Sequence, residues 1–376
     1  VDRRAFQFRA PRRYEVASLH EPNRASQLCL KRVVGLPGER VAVRDGDVYI
    51  NSQISRKGLA EQQAVALLVF DNAYRPDAAS PAQARWQPDD GASRWRAAGS
   101  EFSSAADSDA ASPARAAMRL AADDWLSYRH LVRVGDREEF VESPVLDTQG
   151  YNQTRPIVDP HAVSDLALSL EVEAERPGMV YLRARGGLGD FVCAIDVTTG
   201  ACELRSEDQT LESRSGAALA DGRMHALYFS LIDRQVLLAI DGRVVIEHAL
   251  DEQSSDADAS VLSVSGATRP FAIASDCPAL RIASLKVVRD VYYTPVGGAT
   301  NSPSANAETE LAEDEFYVLS DNSRLGFDSR YAGFGPAAPF NLFVGKPLTA
   351  YSRSPRSPGW RGGIQVPAVW RIRYIR

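Results

Sequence analysis

The chain is predicted to be all-β, and three observations predict it. Short runs of alternating apolar and polar residues recur through its 376 residues. Asp45-Gly46 and Asp241-Gly242, the preferred pairs for two-residue hairpin turns, each sit between two such runs. Apolar spacing at the helical period is scarce.

Taken in order, Leu28 to Val34 (L-C-L-K-R-V-V) is the first clear strand. Gly35, Pro37 and Gly38 supply a turn after it, since glycine accepts positive φ and proline fixes a bend. Val41, Val43, Asp45-Gly46, Val48 and Ile50 then read as a tight hairpin. Further strands are expected at Leu166–Glu173, Met179–Arg185, Phe191–Val197, Gly222–Ser230 and Gln235–Val245, the last folded back at Asp241-Gly242. So many short antiparallel strands predict a β-sandwich. Ala97–Ala117, Glu252–Ser260 and Val296–Glu308 are rich in Ala, Ser and Asp and read as loops or linkers. Gly345 and a terminal strand, Val366–Ile375, are expected to complete a sheet.

Bulk properties narrow the function. A net charge of −6 leaves no basic footprint for nucleic acid. No run of 18 apolar residues offers a membrane span, and no signal peptide is legible. The four cysteines are too few for a disulfide scaffold. Cys193 and Cys202 flank the Thr198-Thr199-Gly200 turn and either bridge its two strands or stay as buried thiols. The five histidines are scattered and no C-x-x-C occurs, so no zinc or other metal site is expected. No organic cofactor is called for.

Chemistry directs attention to Lys31. Of 43 basic residues only Lys31, Lys57, Lys286 and Lys346 are lysine. Arginine cannot give up its proton in a protein, so a general base is a role it cannot fill. A lysine used as a base must be held neutral, which takes apolar surroundings, and Leu28, Cys29, Leu30, Val33 and Val34 flank this one.

The block Lys31–Glu39 (K-R-V-V-G-L-P-G-E) resembles the lysine box of type I signal peptidases, and Asp321–Arg330 (D-N-S-R-L-G-F-D-S-R) resembles the later box of that family. The resemblance implies a serine endopeptidase with a Ser-Lys dyad that removes signal peptides from secreted preproteins. Lys31 would be the general base. Arg32 would pair with Asp321, and Asp328 with Arg330; Asn322, Ser323 and Ser329 would help hold the site. Leu28, Cys29 and Leu30 would form the strand that pairs with the extended substrate. The catalytic part would lie on the extracytoplasmic, periplasmic side of the cell membrane, held at that surface by an N-terminal anchor.

Two departures from the pattern stand out. Ser320 occupies the place of a glycine before Asp-Asn. Gly326 stands where the family has the hydroxyl that hydrogen-bonds the lysine, so Ser323 or Ser329 is the expected substitute. The nucleophile is also missing: the family serine lies in an S-M-x-P-T-like segment, and the 30 residues before Lys31 hold none. Ser18-Leu19-His20-Glu21-Pro22 matches it only superficially, while Phe6–Val16 resembles the family's sequence just downstream of the serine box. The chain therefore reads as a fragment, inactive as it stands, lacking the serine segment and the anchor. A pseudopeptidase, its scaffold presenting a binding module at the cell envelope, is the rival expectation.

The division expected is 1–56 and 309–376 for a split peptidase-like β domain, and 57–308 for an inserted sandwich. Within the latter, Gly222, His225 and Phe229, followed by Val236, Leu238, Ile240, Asp241, Gly242 and Val245, resemble laminin-G and concanavalin-A-like jelly rolls, as does the Phe70-Asp71-Asn72 opening. A glycan or a protein is the ligand class this implies. Trp86, Trp95 and Trp125 are either a sugar platform or core residues. Glu171, Glu173 and Glu175 project from one strand face. Paired strand carboxylates can serve glycoside hydrolysis, but a solvated acidic face is the commoner use of such a pattern.

Overall fold

The computed structural model describes residues 1–74, 84–89, 93–104, 124–133, 140–148, 160–250, 268–294, 308–350 and 373–374. Two compact units divide the chain: Val1–Ser55 with Val291–Arg376, and Arg56–Asp290. Both are built from antiparallel strands, and Leu59–Val65 is an α-helix.

In the first unit a five-stranded sheet runs in the order Ala338–Pro339, Glu315–Leu319, Arg24–Gly35, Val16–Glu21, Phe343–Gly345. Its core gathers Phe6, Ala17, Leu19, Val33, Phe316, Val318, Phe334 and Ala338. A smaller four-stranded sheet joins Thr309–Glu310, Arg40–Arg44, Asp47–Ile50 and Gln53–Ile54. The Asp45-Gly46 turn closes its hairpin with both residues at positive φ, 50° and 94°, as a two-residue turn of right-handed twist needs. Of the glycines after the lysine strand, Gly38 supplies positive φ at 77°. Gly35 serves another purpose: a Cβ there would stand 2.4 Å from Val41 Cγ2, so this close crossing of strands admits only hydrogen.

The second unit is a sandwich. One sheet of seven strands follows the order Gln209–Ser215, Ala201–Ser206, Gly189–Asp196, Met179–Gly186, Phe271–Ser275, Leu126–Tyr128, Trp86–Pro88. The other runs Arg243–Ala249, Gln235–Ile240, Met224–Ile232, Leu166–Glu173, Arg281–Arg289, Glu101–Ser104, Trp95–Ala98, with Leu67–Asp71 also on Arg281–Arg289. Alternate residues of both sheets, among them Leu182, Phe191, Ile195 and Ile273 from one and Leu168, Leu170, Phe229 and Leu238 from the other, fill a single core. Asp241 and Gly242 turn at φ 49° and 75°. Lys57 is buried beside this core, with its Nζ 2.6 Å from Asp233 Oδ1 and 2.8 Å from Asp290 Oδ2.

Several expectations change. The stretch beginning at Ala97 is not all linker: Trp95–Ala98 and Glu101–Ser104 pair as a hairpin, because Phe102 and Ser104 alternate inward and Gly99 takes the turn at φ 60°. Residues 105–117, 252–260 and 296–307 lie outside the described residues, as do 366–372 and 375 of the terminal strand; Arg373–Tyr374 pairs with Thr349–Ala350. Gly345 joins the five-stranded sheet opposite Ser18. Cys193 lies opposite Leu204 and Cys202 opposite Ile195, so the two are out of register by two residues, and all four cysteines are free thiols. Trp86 and Trp95 sit inside the sandwich core, and Trp125 is covered by the Arg183 guanidinium 4.2 Å from its ring centroid; all three are buried and none forms an open platform. Glu171 accepts from Ser284 Oγ at 2.7 Å and Glu173 pairs with Arg281, while Glu175 is exposed beyond the strand end. That is a neutralised surface face.

Candidate active site

The strand Arg24–Gly35 is exposed through most of its first half and buried from Lys31 onward. Between Arg24 and Arg32 one side is taken by Val16–Glu21, with Ala17 opposite Lys31. On its other side Glu315–Leu319 pairs only from Arg32 onward, through Arg32 with Leu319 and Val33 with Val318. Residues 24–31 therefore present a strand edge with no sheet partner among the described residues. Lys31 stands where that edge ends.

The same register explains what meets the lysine. One step beyond the Arg32–Leu319 pair, the chain opposite Lys31 is Ser320. Lys31 Nζ donates to Ser320 Oγ at 2.9 Å, and both residues are 8% exposed. Alternation along the strand turns Lys31 to the face of Val33, toward the core. The Nζ lies 5.6 Å from the ring centroid of Phe334, which is fully buried. The apolar surroundings thus come from across the fold and not from Leu28 and Leu30, which are 53% and 51% exposed along the free edge. Cys29 is half-buried between them, and burial pushes its thiol above its ordinary value.

Behind the lysine, Arg32 Nε and Nη2 donate to the two carboxylate oxygens of Asp321, each at 2.7 Å, and Nη1 donates to Tyr14 O at 2.6 Å. The planar guanidinium matches the carboxylate in a fork that lysine could not form. Asp328 is fully buried: its Oδ2 accepts from the Ser320 N–H at 2.9 Å and from Arg330 Nη2 at 2.8 Å, and its Oδ1 accepts from Arg330 Nε at 2.8 Å. Burial works against the Arg330 charge, but Asp328 outweighs it and raises that guanidinium further. Ser320 is thereby held by its backbone while its hydroxyl faces Lys31.

Ser323 and Ser329 are occupied elsewhere. Ser323 Oγ accepts from Thr294 N at 2.8 Å and Arg330 Nη1 at 2.7 Å; Ser329 Oγ accepts from Val318 N at 3.1 Å. Neither serves as the hydroxyl on Lys31. Asn322 lies on the exposed rim of the turn and lends its carbonyl to Gly326 N at 2.8 Å. The partner missed in the sequence is Ser320. Its signal was available: it directly follows the apolar strand E-F-Y-V-L, the segment suited to pair with K-R-V-V.

A family model described as signal peptidase, peptidase S26, matches residues 1–91. The N-terminal part of the chain, including Lys31 and Arg32, is therefore similar to signal peptidases; Asp321–Arg330 lies outside the matched stretch. No curated protein matches the chain. Solved structures with a similar trace include sheep galectin-11 in complex with glycerol, at 10% identity over 39% of this chain and 98% of that one, TM-score 0.25. The carbohydrate-binding module CBM66 from Bacillus subtilis is 11% identical over 43% and 94%, TM-score 0.25. SCLam, a non-specific endo-beta-1,3(4)-glucanase from family GH16, is 9% identical over 68% and 97%, TM-score 0.34. Likenesses this distant carry no function across; the description of the second unit as a sandwich stands on its own sheets and core. No helix among the described residues is long and apolar enough to cross a membrane.

Proposed function

We propose that the first unit is the core of a signal-peptidase-type serine endopeptidase, with Lys31 as general base and signal peptides of secreted preproteins as substrates. One observation carries the reading: a buried lysine, held on a serine hydroxyl, stands at the end of an unpaired strand edge. An extended peptide that adds to the 24–31 edge as a further strand would run toward Lys31, main-chain bonds giving affinity and alternate side chains giving selection. Leu28 and Leu30, already exposed there, would meet its apolar residues. A nucleophilic serine close to Lys31 Nζ would lose its proton to the amine as it attacked the peptide carbonyl, and the amine would return that proton to the leaving nitrogen. In this reading the active face lies outside the cytoplasm. The two-segment unit would be the host and Arg56–Asp290 an insertion that presents a glycan- or protein-binding surface.

The test is cleavage of a signal-peptide-bearing precursor by the full-length protein, beside Lys31→Ala. Loss of about 10²–10⁴-fold in rate in the variant is expected from removal of a general base. Activity unchanged in Lys31→Ala would sink the lysine mechanism. A folded wild-type protein with no activity on any precursor would favour the pseudopeptidase reading.

A further inference from the structure

Ser320 and Gly326 compete for one volume beside Lys31. A Cβ built on Gly326 would lie 2.2 Å from Ser320 Cβ and close against its Oγ, and also 2.8 Å from Asn322 O. Real carbon atoms do not approach so closely, so with Ser320 in place no side chain fits at 326, and Asn322 O sets a second, lesser limit there. Both residues are tied through their backbones: Gly326 N is bound to Asn322 O at 2.8 Å, and Ser320 N to the buried Asp328 at 2.9 Å. The volume in question is the one from which Ser320 Oγ meets Lys31 Nζ.

We infer that Ser320 is the positioning residue for Lys31, and that Gly326 is glycine because Ser320 fills the space its side chain would need. Resting on the proposed role of Lys31 as base, this assigns to position 320 the hydroxyl that the sequence pattern leads one to seek at 326. The two departures then become one: a hydroxyl transferred across the turn, with glycine left in the vacated place. Ser320 does not need to touch substrate for this. Its hydroxyl fixes the long, flexible lysine side chain in one direction, and misdirected catalytic groups are costly in rate. The chain Arg330, Asp328, Ser320, Lys31 is continuous through hydrogen bonds.

Four lysines make the test direct. In the protein labelled with ¹³C at lysine Cε, an immobilised Lys31 gives two distinct Hε resonances, whereas a freely rotating side chain averages them to one. Ser320→Ala keeps the Cβ and removes only the hydroxyl; it should collapse the Lys31 pair and leave Lys57, Lys286 and Lys346 unchanged. The exchange Ser320→Gly with Gly326→Ser removes the two closest clashes, leaves only Asn322 O to shift, and should restore the pair, while Gly326→Ser alone, with both side chains crowded together, should be less stable than either the wild type or the exchange. Lys31 signals unaltered by Ser320→Ala would overturn the inference. So would covalent capture of Ser320 by a fluorophosphonate acylating probe, which would make it a nucleophile. Should the exchange variant not fold, Ser320→Ala still decides. Because the readout needs no substrate, an inactive protein with Ser320-ordered Lys31 defeats the peptidase reading alone, and an active one with Lys31 indifferent to Ser320 defeats this inference alone.

Discussion

Arg32 and Asp321 are joined through two parallel hydrogen bonds of 2.7 Å although they stand 289 positions apart in the chain. The pair ties the lysine strand to the turn that carries Ser320, and it is lopsided: Arg32 is almost fully buried while Asp321 is 44% exposed. Asp321→Asn would leave a buried guanidinium without its counter-charge. A loss of about 2 kcal/mol is expected, the scale of a hydrogen bond to a charged group. Faster amide hydrogen exchange along Arg24–Gly35 is the measurement.

Gly35 should tolerate no side chain. Its virtual Cβ meets Val41 Cγ2 at 2.4 Å, Tyr317 Cβ at 2.8 Å and Leu311 Cδ1 at 2.9 Å, three contacts from three directions. Gly35→Ala is expected to cost about 1–3 kcal/mol, as overpacking does in filled cores. Limited proteolysis of the variant should show the first unit opening before the second.

In the sandwich, Lys57→Met would remove the cation facing Asp233 and Asp290, which are 1% and 5% exposed at their side chains. Two carboxylates would then stay buried without the cation that now meets both of them. Breaking a buried ion pair from one side costs about 3–5 kcal/mol, and a denaturant midpoint for the second unit lower by a corresponding amount is the expected result. The triple exchange that also makes both aspartates asparagine should recover part of it.

Stability of the sandwich should fall as pH rises above 6.5. Burial disfavours the charged form of His225, but Asp241 at 2.7 Å and Asp221 at 2.9 Å outweigh it and raise the imidazole above its ordinary 6.5. A raised folded value means that folding favours the proton. The contribution is complete below the unfolded value and disappears as pH climbs through the folded one. Thermal unfolding from pH 6 to 9 should show that slope, and His225→Gln should remove it; a flat wild-type profile would contradict the assignment.

Much of the fold was legible because strands announce themselves locally. Alternation marked Leu166–Glu173 and Met179–Arg185, and Asp45-Gly46 and Asp241-Gly242 each marked a hairpin that the backbone closes with positive φ. Phe102 escaped notice because one inward aromatic among alanines and serines makes no pattern, yet it is enough to fix a short hairpin on a sheet. At the site, motif reading located Lys31, Arg32, Asp321, Asp328 and Arg330 but looked for the lysine's hydroxyl at Ser323 or Ser329. Those two are the serines of the motif itself. What decides it is strand register, which delivers residue 320 opposite residue 31 and is invisible until the pairing is known. The apolar cover behaved likewise: Phe334, distant in sequence, does what the adjacent leucines do not.

Lys57 and Asp290 are within two residues of the ends of the second unit, and the ion pair between them is 2.8 Å long. The sandwich therefore begins and ends at one spot. A segment of that kind can be swapped, enlarged or deleted by recombination with little effect on the distance that the flanking chain must span, since closing a loop costs slowly more as it lengthens. Its stitching is electrostatic and buried, so the seam is sealed from within the module itself. Expressed alone as residues 56–290, the second unit would keep the ion pair that joins its own two ends.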